Sequence, residues 1–210
     1  NLSTGIKKPF HGEIFSLKEG AFFRWNADHR RIPVMVGTWG KKMSTLAGKK
    51  ADEVKASPLW NSEYARTLRS KIDQGAISAG RVPSEIGLTL GVLTSIHNDS
   101  DTAKEYARNA LAIYLPHLSP MTEVMGVPST EIDNVRKLSN LGKYSEASKL
   151  ISDETLKNFS LYGSPREIRS KITSLIDTAP VDKIEFGTPH GPNSFEAINL
   201  LKNEVIPWFS

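Results

Sequence analysis

Two glycine-rich segments, one near each end of the chain, carry the residues best suited to chemistry. The first segment consists of Gly37, Thr38, Trp39 and Gly40, and two lysines follow it. Glycines let backbone N–H groups approach a phosphate closely, and the N-terminus of a following helix favours an anion. We therefore predict a phosphate-binding turn here, with the Thr38 hydroxyl as a further donor. The other interpretation is an ordinary tight strand-to-helix turn with solvated lysines.

The second segment runs from Gly187 to Pro192 and contains His190. A histidine titrates near neutral pH and can transfer protons, so His190 could act on a substrate or contact a cofactor. The other interpretation is a histidine that braces its own loop through the backbone. His97, at the end of another predicted strand, is a weaker candidate of the same kind.

Both segments follow apolar runs that predict buried strands, and each precedes a predicted helix. The predicted strands cover residues 32–37, 51–58, 85–96 and 181–187, and the predicted helices cover residues 42–50, 61–75, 98–116, 164–176 and 193–206. This alternation predicts an α/β fold with a parallel sheet. Four strands are half of a (β/α)8 barrel, and barrel chemistry takes place at the carboxyl ends of the strands.

The domain prediction is one domain over residues 1–210, with a helical insertion at 98–162 before the last strand. Short helices broken by Gly126, Pro128 and Gly142 indicate that insertion. Residues 1–31 are expected to be irregular or to form a short hairpin around Gly12, where apolar residues alternate. At residues 164–167 the sequence Ser-Pro-Arg-Glu predicts a capping box that starts a strongly amphipathic helix.

Composition excludes several classes of protein. The 210 residues include no cysteine, so disulfides and cysteine-metal sites are excluded, and the remaining His, Asp and Glu show no metal-ligand spacing. The net charge of +4 is spread without a basic stripe, so we expect no nucleic-acid partner. The chain shows no apolar run of the ~18 residues that a membrane span needs, and no export signal, so we expect a cytoplasmic protein. Its start lacks a methionine, which is typical of an internal segment.

Four motifs give the chain a resemblance to a known family. They occupy residues 37–43, 51–53, 163–167 and 187–192, where the sequence reads Gly-Thr-Trp-Gly-Lys-Lys-Met, Ala-Asp-Glu, Gly-Ser-Pro-Arg-Glu and Gly-Thr-Pro-His-Gly-Pro. In order and spacing they resemble the C-terminal half of the barrel in the luciferase-like flavin/deazaflavin oxidoreductase superfamily. The resemblance extends over roughly residues 8–208. It is strongest to the branch that uses coenzyme F420, typified by methylenetetrahydromethanopterin reductase.

The resemblance implies hydride transfer between coenzyme F420, or alternatively FMN, and a small substrate such as methylenetetrahydromethanopterin. It implies a partial luciferase-like TIM barrel whose cofactor contacts are Gly37, Thr38, Trp39, Gly40, Ala56 and Ser57. Ser57 has the other interpretation of an ordinary loop serine before a proline. His190 would lie near the substrate.

Departures from the family pattern leave other functions open. Glu53 replaces the family's glycine, and Lys55 stands where the strand is usually apolar. The N-terminal strands, which help to hold the ring in the family, are absent. One alternative is a non-catalytic half-barrel, either a fragment or a structural subunit, and another is an FMN-dependent monooxygenase. An isolated half-barrel leaves two open sheet edges and an uncovered apolar layer, so we expect pairing with a second copy or with the missing N-terminal half.

Overall fold

A computed structural model of the chain describes residues 8–21 and 32–209. It divides the chain into two compact units, residues 1–34 and residues 35–210. Within the first unit, β1 (Phe10–His11) and β2 (Ser16–Leu17) pair antiparallel, which confirms the predicted hairpin around Gly12. The rest of the prediction for residues 1–31 lies outside the described residues, and the expectation of a single domain over residues 1–210 stays a prediction.

The second unit contains one parallel sheet. Its strands are β3 (Met35–Gly37), β4 (Glu53–Ala56), β5 (Gly87–Ile96), β6 (Ser160–Gly163) and β7 (Lys183–His190). Every adjacent pair is parallel. The four strands predicted from apolar runs are confirmed, although β3 begins three residues later than expected. Strand β6, four residues long, was not predicted.

Helices fill the connections between these strands. They are α1 (Lys41–Lys50), α2 (Ser62–Ser78), α3 (Ser100–Tyr114), α4 (Met121–Val124), α5 (Ser129–Asn140), α6 (Tyr144–Ser148), α7 (Asp153–Phe159), α8 (Pro165–Thr178) and α9 (Ser194–Leu200). A π-type turn (Leu201–Val205) and a 3-10 turn (Ile206–Phe209) extend α9. The capping box predicted at the start of α8 is confirmed, because Ser164 and Glu167 satisfy each other's backbone N–H groups.

Strand β5 is the centre of the sheet. Its residues Thr89 and Leu90 pair with both β4 and β7, so these two strands lie on opposite edges of β5. Leu93 and Ser95 likewise pair with both β6 and β7. Strands β4 and β6 therefore share one edge of β5, one after the other, and β3, β4, β5 and β7 follow each other in chain order across the sheet. That order is the one expected of consecutive barrel strands.

One face of the sheet packs against helices and forms the core. Val54 and Ala56 of β4 are fully buried in the main hydrophobic cluster, and Ile184 of β7 packs against it. Ile184 and Phe186 also pack against a second, smaller cluster. Because side chains alternate along a strand, the residues between them point to the opposite face. Because this face is buried against helices, its strand positions are apolar, and these apolar residues are what identified the strands in the sequence.

The opposite, inward face is charged. Glu53 and Lys55 of β4 and Lys183 and Glu185 of β7 alternate with the buried residues and pair across β5. Lys183 Nζ lies 2.7 Å from Glu53 Oε2, and hydrogen bonds from Lys183 and then from Thr89 lower the pKa of the Glu53 carboxyl. On β4 and β7 these inward positions are charged rather than apolar, whereas Met35 of β3, in register with Glu53, leaves an exposed apolar side chain on the same face.

Helices α1 and α2 approach closely through two glycines. A side-chain carbon at Gly75 would lie 2.0 Å from the carbonyl oxygen of Thr45, and one at Gly48 would lie 2.1 Å from that of Ile72. Both neighbours are backbone atoms, so they cannot move aside by changing a rotamer. This contact fixes α1, whose first turn follows the first glycine-rich segment.

We therefore predict that Gly75→Ala destabilises the fold. Overpacking against backbone atoms costs about 3 kcal/mol, partly offset by the ~1 kcal/mol helix-propensity gain of alanine over glycine. The net loss, roughly 2 kcal/mol, should appear as a lower free energy of unfolding in urea titrations. Gly37→Ala is the control, because the space around Gly37 is open, and it should change the stability little. Equal stabilities of the two variants would contradict the close packing.

Candidate functional site

The carboxyl ends of the parallel strands meet at one edge of the sheet, and both glycine-rich segments lie there. Thr38 follows β3, Ser57 follows β4, His97 follows β5, and Pro189 and His190 end β7. The sequence predicted that the two segments lie at one edge of the sheet. The parallel pairing of the strands places them there. The functional roles of these residues stay predictions.

The turn after β3 is held by its own backbone. The Thr38 N–H donates to the carbonyl of Lys55 (2.9 Å), which continues the pairing of β3 with β4. The Gly40 N–H donates to Thr38 Oγ1 (3.0 Å). The Thr38 hydroxyl therefore accepts one hydrogen bond and keeps its own proton to donate.

Helix α1 starts in this turn without a side-chain cap. Gly40 is its N-cap residue and has no side chain to accept from the first-turn N–H groups, and that turn contains no acidic residue. Among the described residues, apart from its chain neighbours, a carbon added to Gly40 would find only Thr38 Oγ1 within 4 Å, at 3.6 Å, so the described part of the chain leaves the space in front of the helix open. Uncapped N–H groups at the positive end of a helix, with Lys41 and Lys42 exposed beside them, form a suitable environment for an anion.

Tyr64 of α2 holds this turn by a hydrogen bond to its backbone. Its hydroxyl donates to the carbonyl of Trp39 (2.6 Å), and burial raises the pKa of the Tyr64 phenol, which keeps it protonated as a donor. The Trp39 indole is partly buried and packs against the main core. This placement favours a packing role for the Trp39 ring, while its backbone belongs to the predicted phosphate turn.

Ala56 and Ser57 differ in what they can offer a ligand. The Ala56 side chain is fully buried in the core, so only its backbone could contact a cofactor. The Ser57 side chain lies over β5 at Gly91, where an added carbon would come within 2.8 Å of it. The absence of a side chain at Gly91 therefore leaves the room that Ser57 occupies.

A pocket of about 380 Å³ brings Ser57 and His190 together. Its lining consists of Ser57, Pro58, Val92, Leu93, Tyr114, Glu185, Phe186, Gly187, Thr188 and His190. The turn after β3 lies outside this lining. Tyr114 and Glu185 were missed by sequence reasoning. The charged Glu185 between apolar Ile184 and Phe186 was a usable signal, because it marks the second face of the strand.

His190 is held by its own strand. Its backbone has φ +72°, a left-handed conformation that is uncommon for a residue other than glycine. Its Nε2 lies 3.0 Å from the carbonyl oxygen of Phe186. That contact requires a proton on Nε2, which leaves Nδ1 as an acceptor in the neutral ring. The geometry thus favours the loop-bracing interpretation, while the ring still lines the pocket.

His97 and a groove on α8 are separate features. His97 Nδ1 accepts from the N–H of Asp99 (3.1 Å) and lines a smaller polar pocket of about 260 Å³ with residues of α9. The larger groove, about 660 Å³, lies along α8 and includes Arg166 and Arg169, with the Arg169 guanidinium 5.2 Å from the centre of the Trp208 ring. The lining of this groove contains no residue from the end of a strand. Because barrel chemistry takes place at the carboxyl ends of the strands, we place the candidate site there.

The described residues contain neither a metal-binding cluster nor a helix able to span a membrane. Within residues 8–21 and 32–209, no group of three or more His, Asp or Glu side chains gathers as a metal site would. In the same part of the chain, no helix combines the length and the apolar character needed to cross a bilayer.

Comparison with known proteins identifies the family. The profile described as luciferase-like monooxygenase matches residues 2–182. The chain belongs to this family. The expected fold is thereby confirmed as an α/β fold of the luciferase-like barrel type, and the strands of the described residues form an open sheet.

Relatives of this luciferase-like chain include 5,10-methylenetetrahydromethanopterin reductases. It is 30% identical to the 5,10-methylenetetrahydromethanopterin reductase of Methanopyrus kandleri, over 85% of this chain and 51% of that protein. It is 27% identical to the reductase of the same name from Archaeoglobus fulgidus, over 98% of this chain and 62% of that protein. The chain therefore spans between about half and three fifths of these relatives.

Solved structures agree with the sequence relatives. The coenzyme F420 dependent tetrahydromethanopterin reductase from Methanopyrus kandleri superposes with a TM-score of 0.88 at 26% identity, covering 100% of this chain and 60% of that one. An F420-dependent secondary alcohol dehydrogenase, solved with an F420–acetone adduct, gives a TM-score of 0.71 at 21% identity, covering 98% and 57%. At that identity the second likeness shows the fold alone.

Tyr64→Phe should loosen the candidate phosphate turn. The variant leaves the Trp39 carbonyl without its donor, which costs about 1 kcal/mol of unfolding free energy. We also expect faster hydrogen exchange of the Gly40 amide, because the turn loses its anchor on α2. Tyr144→Phe, at a half-exposed tyrosine of the insertion, is the control and should alter neither quantity. An unchanged Gly40 exchange rate in Tyr64→Phe would show that the contact does not order the turn.

Proposed function

We propose that this chain carries the cofactor-holding C-terminal part of an F420-dependent oxidoreductase that transfers a hydride to or from a small molecule. The uncapped start of α1, open at Gly40 and located at the strand-end edge, is the observation that carries the proposal. The likeness to the coenzyme F420 dependent tetrahydromethanopterin reductase supports F420 as the cofactor. The names of the methylenetetrahydromethanopterin reductases support a related small molecule as the substrate.

The residues of the turn fit a phosphate group. The first-turn N–H groups of α1, the Thr38 hydroxyl proton and the charges of Lys41 and Lys42 would hold it. Ser57, on the neighbouring strand, would contact the chain that links the phosphate to the ring. The cofactor supplies the hydride chemistry when bound, and the protein supplies orientation and electrostatics.

We further propose that the sheet is completed by a partner. The outer strands β3 and β7 each pair along one edge among the described residues. Beside β7 lies an apolar groove of about 540 Å³ that includes Ile176, Ile206 and Phe209, all of them substantially exposed. A segment corresponding to the part of the relatives' length that this chain does not span, or a second copy of the chain, would cover these edges. This pairing would also enclose the substrate.

A fluorescence titration of the chain with coenzyme F420, and separately with FMN, tests the proposed function. Thr38→Ala removes one hydrogen bond to a charged group, worth about 1.5–3 kcal/mol, and should weaken binding roughly 10- to 100-fold. Gly40→Trp fills the open space in front of α1 and should weaken it at least as much. Gly40→Ala is the matched control, because a methyl group fits there at 3.6 Å from Thr38 Oγ1.

Three results would speak against parts of the proposal. Saturable binding of FMN but not F420 would favour a flavin enzyme such as an FMN-dependent monooxygenase. Binding that is unaffected by Gly40→Trp would contradict the phosphate turn. Binding of neither cofactor would contradict the proposal and favour a non-catalytic half-barrel.

A further inference from the structure

The ion pair between Lys55 and Glu185 lies on the inward face of the sheet and has no role in the proposed phosphate turn. Lys55 Nζ lies 2.6 Å from Glu185 Oε1 and 2.5 Å from Oε2, across β5. The Lys55 side chain is 28% exposed and that of Glu185 is 50% exposed, so a ligand can reach both. Glu185 also lines the pocket that contains Ser57 and His190.

Gly91 permits this pair. A side-chain carbon at position 91 would lie 3.1 Å from Lys55 Cε and 2.8 Å from the Ser57 side chain. Strands β4 and β7 are separated by two strand spacings, roughly 10 Å, so Lys55 must cross over β5 to reach Glu185. Glycine at the crossing point leaves room for the Lys55 stem and Ser57 side by side over β5, and Ser57 and Glu185 line the pocket.

We propose that the Lys55–Glu185 pair recognises the edge of a ring at which an N–H group adjoins a carbonyl oxygen. The carboxylate oxygens of Glu185 each keep a lone pair beyond the contact with Lys55, and the ammonium keeps a further proton. Together they offer an acceptor beside a donor, which is the complement of an imide edge. Flavin and deazaflavin rings both carry such an edge on their pyrimidinedione ring, so the inference rests on the proposed function and deepens it.

The arrangement of the strands fits this assignment. The phosphate turn follows β3 and Glu185 is on β7, three strand spacings away, or roughly 14 Å. Ser57 follows β4, between the two. One extended ligand can therefore lie along the strand ends with its phosphate at α1 and its ring at Glu185.

A second ion pair provides an internal control. Glu53 and Lys183 also join β4 to β7 across β5, with the charges in the opposite order. The two pairs differ at the pocket of Ser57 and His190, which Glu185 lines and neither Glu53 nor Lys183 does. The Lys183 side chain is 63% exposed, and Glu53 keeps its hydrogen bond from Thr89 when Lys183 is replaced, so loss of Lys183 should cost little stability. Only loss of the Lys55–Glu185 pair should affect the ring.

The test compares probes with and without a phosphate. The probes are FMN with riboflavin, and F420 with its phosphate-free deazaflavin core. Lys55→Met and Glu185→Leu should each weaken all four probes by the same factor, about 10-fold or more. Lys183→Met should stay within about 2-fold of the unchanged chain. Gly40→Trp should weaken only the phosphate-bearing members of each pair.

Two further measurements separate recognition from a structural effect. Riboflavin methylated at its imide nitrogen lacks the N–H donor, so it should bind the unchanged chain as weakly as riboflavin binds Glu185→Leu. The double exchange Lys55→Glu with Glu185→Lys restores an ion pair but reverses donor and acceptor. It should recover the melting temperature without recovering affinity.

Several outcomes would overturn the inference. One is that Lys55→Met and Glu185→Leu leave the affinity for the probes unchanged. Another is that methylated riboflavin binds the unchanged chain as tightly as riboflavin does. A third is that the double exchange recovers the affinity. If these occur while Gly40→Trp still weakens FMN or F420, the phosphate turn stands and only the ring assignment fails. If Gly40→Trp has no effect while the pair variants weaken riboflavin, the ring site stands without the phosphate turn. Absence of binding by every probe overturns both.

Discussion

Parallel pairing around β5 is the constraint on which the rest of the structure depends. This strand pairs with β4 and β6 along one edge and with β7 along the other, and nine of its ten residues are buried. Because all of these strands run the same way, their carboxyl ends lie at one edge of the sheet. Segments separated by about 150 residues in the sequence therefore contribute to one candidate site.

Two small residues of β5, Thr89 and Gly91, determine how the charged side chains pack on the inward face. Gly91 lets Lys55 and Ser57 cross the strand, and Thr89 hydrogen-bonds to Glu53. The result is a charged surface that joins β4 to β7, whereas the opposite face is a conventional apolar core. The same strands thus present an apolar face to the helices and a charged face to the candidate site.

The sequence predicted elements whose signals are local. Apolar runs located four of the strands in the sheet, and the capping box at Ser164 located the start of α8. Strand β6 was missed because its four residues follow α7 directly, with no turn residues between them. The brace between His190 and Phe186 depends on a left-handed backbone conformation within one strand, which no spacing rule indicates. The pairing of Lys55 with Glu185 joins residues 130 positions apart, so only the fold could show it.

The most direct test of the account is to map ligand contacts on backbone amide signals by NMR while F420 is added. We expect the amide signals of Gly40 to Lys42 and those of Thr188, His190 and Gly191 to shift together with one dissociation constant, because a single ligand contacts both ends of the strand-end edge. Shifts confined to the α8 groove, around Arg169 and Trp208, would contradict the account and place the ligand on the outer side of the protein.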